Sequence, residues 1–181
     1  MNKYLVFKDK DVRTNINILI LVMIFSGIFG FIYETIFYRI DLGYFVKRGS
    51  SFGPWIPIYV YGGLIITLIL YKLRDKPYLI FIYSTLLSGI IEYTVGYYIE
   101  HYMNMRLWNY NTEILNFGNI NGYICLRSIL FFGISSLFLI YKVIPIIIKI
   151  CDKYSSNKIT IIANLLIIIY FIDIIIYSII R

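Results

Sequence analysis

The chain has 181 residues, of which 60% are hydrophobic and only 15% charged, and it carries a net charge of +7. That balance lies far from a soluble globular domain, and no stretch between the apolar runs is long enough to build one. The basic residues gather at the ends of those runs, so the charge reads as positive-inside bias, and a nucleic-acid partner is excluded.

Met1 to Asn15 is a polar leader with Lys3, Lys8, Lys10 and Arg13. The apolar run behind it is too long for the core of a cleavable signal and has no small-residue cleavage site after it. Residues 16–37 form the first predicted span, long enough for the roughly 20 residues a crossing needs. Ser26 and Gly30 have the small-xxx-small spacing of close helix contact, and Glu34 lies at the far end. The connection at 44–62, YFVKRGSSFGPWIPIYVYG, mixes Gly49, Gly53, Pro54 and Pro57 with Trp55, tyrosines and the adjacent Lys47 and Arg48. An exposed loop rarely has that mixture, so a folded, re-entrant or interfacial connection is expected.

Pro57 can start the next helix, because its missing N–H would be unpaired there anyway; residues 58–73 form a short second span. Lys72, Arg74, Asp75, Lys76 and Pro77 make a basic turn. Residues 78–100 form the third span, with Glu92 inside it and Glu100 at its end. His101 to Tyr123 is a polar loop containing Arg106, Trp108, Asn109, Tyr110, Asn119 and Asn121. The fourth span, 124–150, has Arg127 near its start and Pro145 late; a basic loop from Cys151 to Lys158 leads to the fifth, 159–180, which contains Asn164 and Asp173. The expected fold is all-α: one transmembrane domain over residues 1–181, a polytopic bundle of about five helices.

Counting Lys and Arg by side gives eleven against five when the N-terminus is inside, Arg181 falling on the outer side. The expected topology is N-inside, C-outside. Heavy use of Ile, Asn, Lys and Tyr fits an AT-rich bacterial genome, hence a bacterial cytoplasmic membrane. Cys125 and Cys151 fall on one predicted helix, about 39 Å apart by helical rise, beyond the reach of a disulfide.

Charges inside a span cost on the order of 3 kcal/mol each on insertion scales and need a partner or a role. Glu92, Gly96 and Glu100 repeat at i, i+4 and i+8, on one helix face. Helical rise puts Glu92 about 12 Å, Asp173 about 10 Å and Arg127 about 6 Å from the outer ends of their spans. Two readings are open: an internal ion-pair network in which Arg127 meets Glu92 or Asp173, or an outward-facing polar cavity for an anionic or zwitterionic ligand. Glu34 and Arg48 lie on the same side. Trp55, Trp108 and the tyrosines near span ends read as an interfacial aromatic belt. His101 stands without a second His or Cys at ligand spacing, so no metal site is expected. The sequence has no GxxxxGK[ST] and no GxSxG, and no cofactor is implied.

Four blocks resemble a known family, the CmpB-like proteins described as putative ABC-transporter type IV. They are GFIYE at Gly30–Glu34; FVKRGSSFGPWIPIYVYG at Phe45–Gly62; Glu92-Tyr93 with Glu100 and WNYN at Trp108–Asn111; and NINGYICL at Asn119–Leu126. The chain departs from the usual pattern at Lys47, Asn109 and Tyr123, where Asn, Asp and Arg are common. The resemblance implies a permease-like membrane protein partnered by a separate ATP-binding cassette subunit. The chain's candidate ligand-binding or ion-pair residues are Glu34, Arg48, Glu92, Glu100, Trp108, Asn121, Arg127 and Asp173.

Besides transport, two other functions fit the residues. One is a membrane enzyme acting on a lipid or lipid-linked substrate, with Glu92 or Glu100 as general base and Arg48 or Arg127 holding a phosphate. The other is a non-catalytic scaffold whose polar core only specifies helix packing. The lipid bilayer is the certain partner; homo-oligomerisation is open.

Overall fold

The computed structural model describes residues 6–180; Lys3 and Arg181, which enter the charge count, lie outside them. The regular structure of the described chain is helical: α1 (Val12–Leu42), α2 (Pro57–Leu70) with a 3₁₀ turn at Tyr71–Leu73, α3 (Pro77–Met103), α4 (Leu126–Phe138), a π-helical stretch at Leu139–Val143, α5 (Ile144–Lys153) and α6 (Ser156–Ile180). No strand occurs among the described residues, only an isolated bridge between Ile120 and Ile124. Four helices are long and apolar enough to cross a membrane: Val12–Leu42, Pro77–Met103, Leu126–Lys153 and Ser156–Ile180. The expected second span, at Pro57–Leu73, is shorter, about 25 Å by helical rise, and falls short of the roughly 30 Å hydrocarbon core.

Local chemistry explains the ends. The Asp11 carboxylate accepts from the Thr14 N–H and caps α1, a partner that holds this carboxyl below the usual range. Gly43 at φ 80° ends α1, a left-handed position that glycine adopts without strain. Pro57 and Pro77 sit in the first turns of α2 and α3, where no N–H is needed. The π-helical stretch directly precedes Pro145. A proline there removes one i→i−4 bond, and a widened turn accommodates the loss.

The chain forms two compact units, one of residues up to Lys72 and from Leu139 onward, the other Leu73–Phe138. In the first, α1 packs against α2, α5 and α6. Its core joins Met23, Ile24, Trp55, Val60 and Tyr170, with Ile28, Leu64 and Leu166 packed against them. Trp55 is 7% exposed, so this indole belongs to the core and not to an interfacial belt. Small residues let α1 and α2 approach closely. A Cβ on Gly27 would lie 2.4 Å from Val60 Cγ2, and one on Gly30 would lie 2.2 Å from Tyr59 Cγ. Tyr59 is itself buried and has little room to yield. Gly30→Ala is therefore expected to lower stability in detergent by about 1–3 kcal/mol, the range for overpacking. Ile32→Ala on the exposed side of the same helix is the control that should leave the melting temperature unchanged.

In the second unit α3 packs along α4, and the intervening segment folds back over them. Gly133 makes the closest approach: a Cβ there would meet Thr85 Oγ1 at 2.3 Å. Asn104, Leu115 and Asn121 take positive φ, as do Gly118 and Gly122. These left-handed residues turn the loop repeatedly and hold it compact.

Candidate functional site

The expected site residues sort by their hydrogen bonds into one cluster in each unit. In the first unit the connection after α1 is anchored from α6. The Asp173 carboxylate accepts from Phe52 N at 3.0 Å, Gly53 N at 3.0 Å and Trp55 Nε1 at 2.6 Å. Ser51, fully buried, donates to the Trp55 carbonyl at 2.7 Å. Ile56 N reaches the Gly27 carbonyl at 3.2 Å. Arg48 Nε donates to Glu34 Oε2 at 2.9 Å, its guanidinium 3.7 Å from the Tyr38 ring centre. Lys47 Nζ stands 4.8 Å from the ring centres of both Phe52 and Tyr177, a cation held by aromatic faces. The connection is thus a folded, anchored segment.

In the second unit Glu92 is the centre. It is 4% exposed, taking a hydrogen bond from Tyr110 Oη at 2.6 Å on one oxygen, with Ser128 Oγ 2.9 Å from the other. Ser128 also lies 2.9 Å from the Cys125 carbonyl, so its one proton is contested by two acceptors. Burial, then the charge of Glu92, pushes the Tyr110 phenol well above its ordinary value. It therefore stays a hydrogen donor at neutral pH. Arg127 Nη2 donates to Glu113 Oε2 at 2.5 Å, with side-chain exposures of 13% and 4%. The Arg127 guanidinium also lies 5.4 Å from the Tyr110 ring centre. The sequence-based partners for Arg127 were Glu92 or Asp173; the carboxylate in hydrogen-bond contact is Glu113.

Glu100, Trp108 and Asn121 meet around Arg106. Its Nη1 lies 3.3 Å from Glu100 Oε1, its Nη2 donates to the Asn121 carbonyl at 2.6 Å, and its Nε donates to the Trp108 carbonyl at 3.3 Å. Trp108 Nε1 donates to the Tyr123 carbonyl at 2.9 Å. Glu113, Tyr110 and Ser128 were not among the sequence candidates. The one available signal was stoichiometric, because Glu113 is the only carboxylate between His101 and Arg127.

Chemically, these groups form hydrogen-bonded and ion-paired clusters that close loops onto helices. Glu92 and Arg127 are deep enough to interact strongly with any charge that enters beside them.

The fold and its buried charges define an all-helical, multi-pass membrane protein. A family model described as putative ABC-transporter type IV matches residues 21–178, and the chain belongs to that family. Comparison with curated proteins and with solved structures found no match.

Proposed function

We propose that the chain is the permease-like membrane component of an ABC-type transporter, dependent on a separate ATP-binding cassette subunit. The family match over residues 21–178 carries this reading, and the lack of a GxxxxGK[ST] motif supports a separate source of ATP hydrolysis. In this reading α2 crosses too, completed by the connection before it, and the resulting five spans put the N-terminus inside and the C-terminus outside. The ATPase docks on the basic turns at Arg74 and Lys153, and the second unit's polar groups, Glu92, Glu100, Trp108, Asn121 and Arg127, take an anionic or zwitterionic ligand. Purification from native membranes in mild detergent should then bring down an ATP-hydrolysing subunit, and Arg74→Glu with Lys153→Glu should release it. A chain that purifies alone, with no ATPase activity at any step, overturns the reading.

A second reading, a scaffold whose polar core pins helix packing, is supported by one observation. Glu92, Arg127 and Asp173 each engage groups of the chain itself. Under it, charge-neutral substitutions at these positions change stability and leave transport by the assembled system intact.

A further inference from the structure

In the first unit two helices measure how deep the connection between α1 and α2 goes. Arg13 Nε and Asn17 Nδ2 both donate to Thr160 Oγ1 at 2.8 Å. Asn17 on α1 and Thr160 on α6 therefore lie at one depth, each at the start of its helix's apolar run. Gly27 is ten residues beyond Asn17, and Tyr170 is ten residues beyond Thr160. Both steps are about 15 Å of helical rise, half of the roughly 30 Å hydrocarbon core. The connection ends at that depth. Ile56 N donates to the Gly27 carbonyl at 3.2 Å, and the Trp55 ring stands edge-on to Tyr170 at 5.9 Å.

The connection descends to this depth from the Leu42 end of α1. Arg48 pairs with Glu34 at 2.9 Å, and Glu34 is seven residues, about 10 Å, further along α1 than Gly27. Phe52 stands edge-on to Tyr177 at 5.1 Å, and Tyr177 is the same seven residues beyond Tyr170 on α6. Main chain without helical bonding persists at such depth only under protein cover, with its polar groups engaged. Here Asp173 takes the Phe52 and Gly53 N–H groups, and the Ser51 hydroxyl takes the Trp55 carbonyl. For α2 only the other half of the core remains. Tyr59 and Val60, in its first turn, fill the space over Gly30 and Gly27. Its far end reaches past the start of α1, where Tyr71 meets Phe7 edge-on at 4.7 Å. We propose that residues 43–73 make one crossing in two halves that meet at the bilayer midplane, the folded connection filling one leaflet and α2 the other. The break at Trp55–Pro57 then lies in the middle of the membrane, and the last turns of α2 lie among headgroups. This placement holds whichever side the N-terminus is on and whatever the protein transports, so it goes beyond the permease reading.

The test is spin-label depth in phosphatidylcholine liposomes, read from the relaxation that dissolved oxygen and a water-soluble nickel chelate each produce. Labels are placed at Phe52→Cys, Tyr61→Cys and Leu68→Cys, all exposed positions. The background is Cys151→Ser, in which the remaining native thiol, Cys125, is buried. The Phe52 label should lie within the hydrocarbon and the Tyr61 label near the midplane. The Leu68 label should lie about 10 Å shallower than Tyr61, at the opposite headgroup boundary. An α2 that spans the bilayer by itself centres on Ile65 and gives a different pattern: Phe52 in water, with Tyr61 and Leu68 at nearly equal depth. Either of those results overturns the proposal. Trp55 gives a second reading with no change at the break. In the Trp108→Phe protein, phosphatidylcholine brominated near its acyl methyl end should quench Trp55 emission more than lipid brominated near its ester, and aqueous iodide should leave it unquenched. Stronger quenching by the ester-side bromine, or by iodide, overturns the proposal as well.

Discussion

Arg127→Met is expected to destabilise the protein in detergent by about 3–5 kcal/mol, the cost of removing one member of a buried ion pair. The substitution keeps most of the apolar stem and removes the guanidinium, so the loss reports chiefly the charge and its hydrogen bonds. It leaves the Glu113 carboxylate, 4% exposed in its side chain, with its guanidinium partner gone. It also removes the cation from the Tyr110 ring face, next to the Glu92 hydrogen bond. Glu113→Leu should cost a similar amount for the mirror reason. The double variant Arg127→Met/Glu113→Leu should recover most of the loss, since an apolar pair of similar volume is often no worse than the ion pair it replaces. Denaturant unfolding of all four proteins gives the coupling term directly. If the single variants cost less than about 1 kcal/mol and simply add, the pair behaves as an exposed one and the polar core does not rest on it.

Along the chain much was legible, because hydropathy, proline and basic turns mark where helices begin and end. The helices start and stop within a few residues of the sequence-based spans, except that α1 runs on to Leu42. The second span was read as short but as a crossing; the helix there, Pro57–Leu73, is shorter than the four candidate spans. The partners of the charges were not legible, and the reason is geometric. Counting residues gives the height of Glu92, Arg127 and Asp173 along their helices, and height carries no information about azimuth or about what a loop brings over the top. Glu113 reaches Arg127 only because the 104–125 segment reverses at Leu115, Gly118, Asn121 and Gly122, and such turns leave no periodic signal. Trp55 shows the same limit. A tryptophan near a span end reads as an interfacial anchor until a carboxylate 118 positions away takes its N–H.

Two of the three departures from the family pattern, Asn109 and Tyr123, fall in the 104–125 loop. Asn109 Oδ1 accepts from Asn111 N at 3.1 Å, a turn-closing role that an aspartate would also fill. The Tyr123 ring lies 5.1 Å from the Arg106 guanidinium, so a cation stands against position 123 although the side chain there is not one. A Cβ on Gly122 would meet Arg106 Nη2 at 2.3 Å and Asn109 Oδ1 at 2.6 Å, side-chain tips that would have to shift, and its φ of 76° favours glycine there.

Asp173→Ala is expected to release the connection between α1 and α2. Three N–H donors, on Phe52, Gly53 and Trp55, converge on that carboxylate. Hydrogen bonds to a charged acceptor contribute about 1.5–3 kcal/mol each; they act on one short segment and will not add fully, so a loss of at least about 3 kcal/mol is expected. The readout is local as well as global. In a Trp108→Phe background Trp55 is the only tryptophan, and its emission should shift to the red as the indole leaves the core of Met23, Ile24 and Tyr170. Protease sites within residues 43–56 should open in parallel. Asp173→Asn separates charge from geometry: an amide has one carbonyl oxygen, so it can keep the Gly53 and Trp55 donors only by turning its NH₂ toward the Phe52 N–H. An intermediate loss, with Trp55 emission still blue, would assign the anchoring to the acceptor geometry. A loss as large as that of alanine would assign it to the charge, and unchanged emission in both variants would mean that packing alone holds the indole in place.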